Sequence, residues 1–369
     1  MKSEFEVKDQ RFTIRRYPVD PDEKLQAWNA ADELLIDFIH QRVAEQSRLL
    51  IINDQFGFLS ALLNKYERTT LIESMSSQKA IEINCTENKC TTPDLIRITN
   101  KISGKFDCVL INLPKSIDLL DYYLDLINEQ LLPNSLVVAG FMTRYFTSSY
   151  IETFSRYFEQ IEQSQARKKA RLIFATKVKT SRLKQHLKNV SFPFKNNELQ
   201  ISSFPGVFSS NRIDNGTRFL LNHLPEIVVD STVLDLGCGS GIIALAAWTE
   251  NPTIRIIATD DSVLAVESAK LNLETIDNQQ IICSDDLNEI PEDSIDLILA
   301  NLPFHSGHAT NQQLLQRMIL STKRILKNDA EFRFVVNRHL GLTNFLQSNF
   351  RSVTVIAENQ SYKIRSCRK

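Results

Sequence analysis

The sequence predicts an α/β fold made of two helix-covered parallel sheets in tandem. Three observations predict it. Short β-branched runs alternate with segments of helical period along the whole chain. One apolar run ending in Asn-Leu-Pro occurs twice, as "FDCVLINLPKS" (106–116) and "DLILANLPFHSGH" (296–308). The segments flanking the two runs also follow each other in the same order, which is the pattern of an internal duplication. At 369 residues the chain has room for two domains of ordinary size. The boundary is expected near residue 185, giving domains 1–185 and 186–369.

In the first half, "LLIINDQFGFLSALL" reads as a buried strand, a turn and a helix. "TTLIESMSSQKAIEINC" is a strand ending in an acid, Glu73, followed by a helix, and "FDCVLINLPKS" and "SLVVAGFMTRY" are further strands. The second half repeats the plan. "STVLDLGCGSGIIALAAW" is strand, glycine turn and helix; "IRIIATDD" is a strand ending in acids, and Ser262 can cap the helix "SVLAVESAKLNL". "QIICSDDL", "IDLILANLPFH" and "EFRFVVNRHL" complete the parallel set, with "QQLLQRMILSTKRIL" helical by period. "SVTVIAE" and "SYKIRSC" read as a terminal hairpin, an antiparallel edge on the sheet. The copies differ at the first turn, which holds three glycines in the second half and only Gly57 in the first. Glu73 stands near the place of Asp260. The second copy therefore carries the site, and the first keeps the scaffold.

Composition excludes several classes. The chain is 43% hydrophobic and 24% charged with a formal net charge of −1, so bulk charge does not direct it to nucleic acid. No apolar run has the length of a membrane span. "MKSEFEVKDQ" lacks the apolar core of a signal peptide, and six cysteines without a C-x-x-C pair suggest reduced thiols; a cytoplasmic protein is expected. A local basic stretch exists. Residues 163–197 contain ten Lys/Arg and no acid, among them Arg167, Lys168, Lys169 and Arg171. They form either a solvated linker between the domains or a phosphate-facing surface.

The glycine turn is Asp235-Leu236-Gly237-Cys238-Gly239-Ser240-Gly241. A dinucleotide site wants G-x-G-x-x-G, with a helix N-terminus on the pyrophosphate. Here the spacing is G-x-G-x-G, and an acid stands two residues before the first glycine. That acid would repel a pyrophosphate but suits the ammonium end of S-adenosylmethionine. Asp260, at the end of the next strand, can accept both ribose hydroxyls, and Asp285, a strand further on, can meet the adenine amine. Helix capping or surface charge is the bland alternative for these acids.

The second Asn-Leu-Pro run ends in Asn301-Leu302-Pro303-Phe304. These residue types suit methylation of a planar exocyclic amine, a poor nucleophile because its lone pair is delocalised. The Asn301 side-chain carbonyl and the Leu302 main-chain carbonyl can hold its two hydrogens, Pro303 fixes the backbone, and Phe304 can stack on a flipped base. In the first copy Lys115 replaces the aromatic. His305 and His308, an H-x-x-H without a third ligand nearby, make a poor metal site, and no metal is expected.

These motifs together resemble class I S-adenosylmethionine-dependent methyltransferases of the N-P-P-F type, on "VLDLGCGSG", "TDDS" and "NLPFH". The lead-in "FPGVFSSNRIDNGTRFLLNHLP" is similar to that of bacterial ribosomal RNA guanine-N2 methyltransferases. "RRYPVDPDEKLQAWNAADELLI" and "FVVNRHL" look like the large-subunit branch of that family. The resemblance spans nearly the whole chain. It implies two tandem Rossmann-like domains, the N-terminal one degenerate and helping to hold RNA, the C-terminal one catalytic. It also implies S-adenosylmethionine as cofactor and 23S ribosomal RNA as partner, with no membrane and no obligate protein partner. Leu302 departs from the family's usual proline. Competing readings are a small-subunit RNA enzyme, a DNA adenine or protein glutamine methylase, and an RNA-binding homologue that no longer catalyses.

Overall fold

The computed structural model describes residues 3–7, 10–19, 25–179, 185–210, 212–302 and 309–369, over 309–314 by backbone only. The chain divides into two compact units, Met1–His186 and Leu187–Lys369. Among the described residues, no helix is long and apolar enough to cross a membrane, and no group of three His, Cys, Asp or Glu could hold a metal ion.

The first unit opens with a hairpin, β1 (Glu4–Val7) and β2 (Gln10–Thr13), and a helix, α1 (Ala30–Arg42). Then follow β3 (Arg48–Ile52), α2 (Phe58–Leu62), β4 (Glu67–Ile72), α3 (Met75–Glu87), β5 (Asp94–Arg97), β6 (Phe106–Asn112), α4 (Ile117–Asn128) and β7 (Leu131–Met142). It closes with α5 (Ser148–Tyr157) and the antiparallel pair β8 (Phe158–Gln163) and β9 (Ala170–Val178).

The second unit repeats this order. A hairpin, β10 (Lys188–Phe194) and β11 (Asn197–Ser203), precedes α6 (Asn215–Leu221), β12 (Thr232–Leu236), α7 (Ile242–Glu250), β13 (Arg255–Asp260), α8 (Val263–Leu273) and β14 (Gln279–Cys283). Next come β15 (Ile295–Asn301), α9 (Ala309–Ile325), β16 (Leu326–Asn337), α10 (Thr343–Asn349), β17 (Ser352–Glu358) and β18 (Tyr362–Arg368).

Each unit is built on a seven-stranded sheet, ordered β5-β4-β3-β6-β7-β9-β8 in one and β14-β13-β12-β15-β16-β18-β17 in the other. Five strands are parallel and the last two antiparallel, as the terminal hairpin predicts. The central strands "RLLII" and "TVLDL" are almost wholly buried because helices cover both faces. In each sheet the order of strand connection reverses beside the first parallel strand, β3 or β12, while the strands themselves stay parallel. A crevice for ligands opens there at the carboxyl ends.

Strand register makes the duplication residue-specific. Ile52 pairs with Ile111 as Leu236 pairs with Ala300, so Asn112 and Asn301 are equivalent. The loop after β3 then sets Asn53 against Gly237, Gln55 against Gly239 and Gly57 against Gly241. Asn53 keeps the left-handed turn (φ 63° against 69°), a conformation that asparagine tolerates better than most residues. Glu73 matches Asp261 instead of Asp260, because Ile52 pairs with Leu71 as Leu236 pairs with Thr259.

Two further expectations change. The basic stretch is not one linker: β9 is an internal strand between β7 and β8, and β10 belongs to the second unit's opening hairpin. "ARLIFATKV" buries Ala170, Leu172, Ile173 and Ala175, which outweighs its flanking charges. The duplication also extends further than the sequence suggested, to the opening hairpin and to α1 and α6. Their short, polar-edged strands carry a weak periodic signal.

Candidate active site

In the second unit the proposed site residues line up on adjacent strand ends, in the order β14, β13, β12, β15. Asp235 is the fourth residue of β12 and is fully buried. Its Oδ2 accepts the Ala244 N–H of α7 at 3.0 Å, while Oδ1 is buried without a partner. Burial pushes this carboxyl up to about 7 against the pull of the Ala244 amide, and the Asp260 charge adds to the rise. A carboxylate in that position lacks a cation.

The loop it precedes leaves space for one. Gly237 and Gly239 have left-handed φ of 69° and 54°, and a Cβ on either would meet nothing within 4 Å. The loop is therefore shaped by its backbone and open on its outer side. Gly241 is different: a Cβ there would come within 3.2 Å of Ala269, so it serves helix packing. Asp260 fixes the loop from β13, its Oδ2 accepting the Gly239 N–H at 2.9 Å and its Oδ1 the Ser262 N–H at 2.8 Å. Burial raises its carboxyl above the ordinary range, with those two amides opposing. Asp285 follows β14 one strand further out, half-buried, and its neighbour Asp286 is tied into the local turn by the Asn288 N–H (2.9 Å).

Asn301 ends β15. Its Nδ2 donates to Asp214 Oδ2 (3.1 Å) and Thr217 Oγ1 (2.9 Å), both at the start of α6. A carboxylate can face only the NH₂ of an amide, so Asp214 fixes which way the side chain points. Asp214 is also the N-cap of α6, accepting from Gly216 N (2.7 Å) and Thr217 N (3.2 Å). Gly216 leaves no room here: a Cβ would lie 2.8 Å from Asp214 Oδ2 and 3.3 Å from Asn301 Oδ1. Leu302 is buried in the same apolar cluster as Leu315 and Leu342, so a leucine at this position contributes to the core. Pro303, Phe304, His305 and His308 lie outside the described residues.

Asp214 and Thr217 were not singled out from the sequence. "IDNGTRFLL" does carry a helix-start signal, but the contact to Asn301 spans 87 positions and has no local signature. Asp214→Ala is expected to lower turnover at this site about tenfold while ligand affinity at the glycine loop is unchanged. The lost cap should cost about 1 kcal/mol of stability. Steady-state kinetics beside a thermal melt would check this; a melt shift without a kcat change would leave Asp214 a cap only.

The four basic residues lie in the first unit. Arg167 pairs with Asp37, and Lys168 with Glu33 at 2.7 Å, so α1 partly neutralises both. Lys169 is exposed, and Arg171, in β9, has a buried Nε without a hydrogen-bond partner. The Lys169 carbonyl accepts from the Thr143 N–H (2.9 Å) and hydroxyl (3.1 Å), which seats this tight turn at the carboxyl end of β7.

Comparison with known proteins follows the same division. Residues 2–179 match the RLMG N-terminal domain family, and residues 198–366 the Methyltransferase small domain family. Ribosomal RNA large subunit methyltransferase G of Pseudoalteromonas translucida (strain TAC 125) is 32% identical, over 100% of this chain and 99% of that protein. The protein of the same name from Aliivibrio fischeri (strain MJ11) is 32% identical, over 99% of this chain and 97% of its own. Among solved structures, the T. Thermophilus 16S rRNA N2 G1207 methyltransferase, in complex with AdoMet and guanosine, shares the fold. Its TM-score is 0.79 at 19% identity, covering 99% of this chain and 97% of that one.

Proposed function

Since this chain belongs to the ribosomal RNA large subunit methyltransferase G family, we propose that it methylates the exocyclic N2 of a guanine in 23S ribosomal RNA, with S-adenosylmethionine as donor. The observation that carries the chemistry is Asn301, held by Asp214 and Thr217 so that its NH₂ is occupied and its Oδ1 remains to accept an amine hydrogen. The unpartnered Asp235 Oδ1 and the open outer side of the glycine loop fit the cofactor. When bound, S-adenosylmethionine supplies an electrophilic methyl group on a sulfonium.

The chain's own residues do the rest. Asp235 holds the ammonium end, Gly237 and Gly239 shape the loop while Gly241 lets α7 pack behind it, Asp260 takes the ribose hydroxyls and Asp285 the adenine edge. Asn301 Oδ1 and the Leu302 carbonyl take the two hydrogens of the guanine amine and turn its lone pair outwards. Pro303 stiffens that turn, and Phe304 stacks on the base. No strong general base is required, because the methylated amine becomes acidic and sheds a proton.

The first unit is a vestigial copy. Its basic turn, with Arg167, Lys168, Lys169 and Arg171, contributes to holding RNA. The direct test is labelled methyl transfer to 23S and 16S RNA, with nucleoside analysis of the product. N2-methylguanosine in 23S RNA alone is expected; another methylated nucleoside, or label in 16S RNA only, would overturn the reading. In an RNA-binding titration at several salt concentrations, neutralising the four basic residues should flatten the salt dependence; an unchanged slope would remove them from the interface.

The Asp235 carboxyl gives a pH signature. Its value near 7 in the free protein means it is largely protonated at lower pH, whereas a cationic ligand favours the ionised form. Below about pH 7 binding must release that proton, so cofactor affinity should fall by up to about tenfold per pH unit. Calorimetry between about pH 5.5 and 7 checks this. Asp235→Asn should bind weakly with no such slope.

A further inference from the structure

The first unit contains a cavity of 390 Å³ at the carboxyl ends of β3, β6 and β7, where the second unit carries its candidate site. That volume is within the range of small-ligand sites. The cavity keeps the features that receive an amine and lacks those that receive a methyl donor. Asn112 is the register equivalent of Asn301, and its NH₂ likewise faces protein, donating to the Asn53 carbonyl (3.3 Å). The following turn is anchored, since the Tyr150 hydroxyl donates to the Pro114 carbonyl at 2.8 Å.

The donor's place has lost its polar chemistry: by register Ile72 stands for Asp260 and Ile51 for Asp235. The Tyr123 hydroxyl donates to Glu73 at 2.5 Å, and Gln55 stands where Gly239 leaves open space. Around the mouth are aromatic and cationic groups. Phe141, Phe146 and Tyr150 form a ring stack, with centroids 4.3 and 5.6 Å apart. Tyr145 is half exposed, with Lys115 Nζ 5.6 Å and Arg144 Cζ 4.8 Å from its ring centre. The basic turn at Lys169 is bound to Thr143 beside them.

We propose that this cavity binds one nucleotide whose base carries an exocyclic amine. The amine meets Asn112 Oδ1 and the Leu113 carbonyl, the base lies against the exposed Tyr145 ring, and the phosphate meets Lys115 and Arg144. Without a methyl donor beside it, the nucleotide is held and released unmodified. The function proposed above enters only through the source of the nucleotide, a residue of the RNA; the pocket itself does not depend on it.

Met142 lines the cavity and is one of four methionines, so ¹³C-methyl methionine NMR of the full chain reports on it directly. A saturable shift of the Met142 signal is expected with guanosine monophosphate at millimolar concentration, the range for a single stack and a few hydrogen bonds. Uridine monophosphate, which has no exocyclic amine, should bind at least about tenfold more weakly. Tyr145→Ala, a change at an exposed position, should weaken binding, as should Asn112→Ala if its spectrum remains dispersed. A guanine-containing single-stranded oligonucleotide that shifts the signal at lower concentration assigns the nucleotide to RNA; equal or weaker binding assigns a free nucleotide. No Met142 shift up to about 10 mM, equal binding of uridine monophosphate, or undiminished binding in Tyr145→Ala would overturn the proposal. Methyl transfer to 23S RNA is read independently, so failure here is distinct from failure of the second unit's function.

Discussion

Asn301→Ala is expected to lower the single-turnover rate of methyl transfer roughly 100- to 1,000-fold, the range for removal of one preorganised group that acts at the transition state. The guanine amine is a poor nucleophile until its hydrogens are held and its lone pair freed, and Asn301 Oδ1 is one of the two acceptors proposed to do so. Asp214 and Thr217 already orient that oxygen, so little reorganisation is needed when the amine begins to bond. Alanine removes the acceptor and also leaves the Asp214 carboxylate without its amide partner. Cofactor affinity should be unaffected, because the loop is fixed through Asp260. The drop should therefore fall on kcat and not on cofactor KM. An Asn301→Ala protein that turns over at the wild-type rate would remove Asn301 from the chemistry.

Asp260→Ala should weaken S-adenosylmethionine binding at least tenfold, and it has two routes to do so. Each charge-assisted hydrogen bond to a ribose hydroxyl is worth roughly 1.5–3 kcal/mol, and about 1.4 kcal/mol is a factor of ten. The carboxylate also accepts the Gly239 N–H, so its loss frees the loop that forms the cradle. The fold should survive, because burial already disfavours the charged form and its removal relieves that penalty. Calorimetric titration of a variant that retains its melting transition checks this. Unchanged affinity would return Asp260 to a purely structural role as a clamp on the loop.

Much of this architecture was legible from local signals. The parallel strands read as apolar runs because both faces are buried. In the terminal hairpin β17 is the sheet edge with no buried residue, while β18 buries Ile364, Arg365, Ser366 and Cys367. Asp235 and Asp260 were legible because a glycine loop between two strand ends has few other uses. What escaped the sequence was long-range or depended on register. Asp214 touches Asn301 only because α6 lies over the end of β15. Glu73 was set one residue away from its place, since only the pairing of Ile52 with Leu71 fixes the alignment. The basic turn looked like a linker because its charges stand at both ends of a strand whose interior is apolar. Asp54 was invisible as an acid of the first copy, yet its Oδ2 accepts the Ser60 N–H (2.7 Å) as Asp235 accepts the equivalent Ala244 N–H. The buried carboxylate beneath the helix thus persists although the strand position holds Ile51.

The division of the chain into one working and one vestigial copy is tested most directly by the stoichiometry of cofactor binding to the full-length protein. Calorimetric titration with S-adenosylmethionine should give one site per chain, strongly weakened by Asp235→Asn. It should be untouched by Glu73→Gln, a change in the first unit, where Glu73 accepts from the Tyr123 hydroxyl and Ile72 stands at the place of Asp260. Two sites per chain, or a single site that keeps its affinity in Asp235→Asn and loses it in Glu73→Gln, would contradict it.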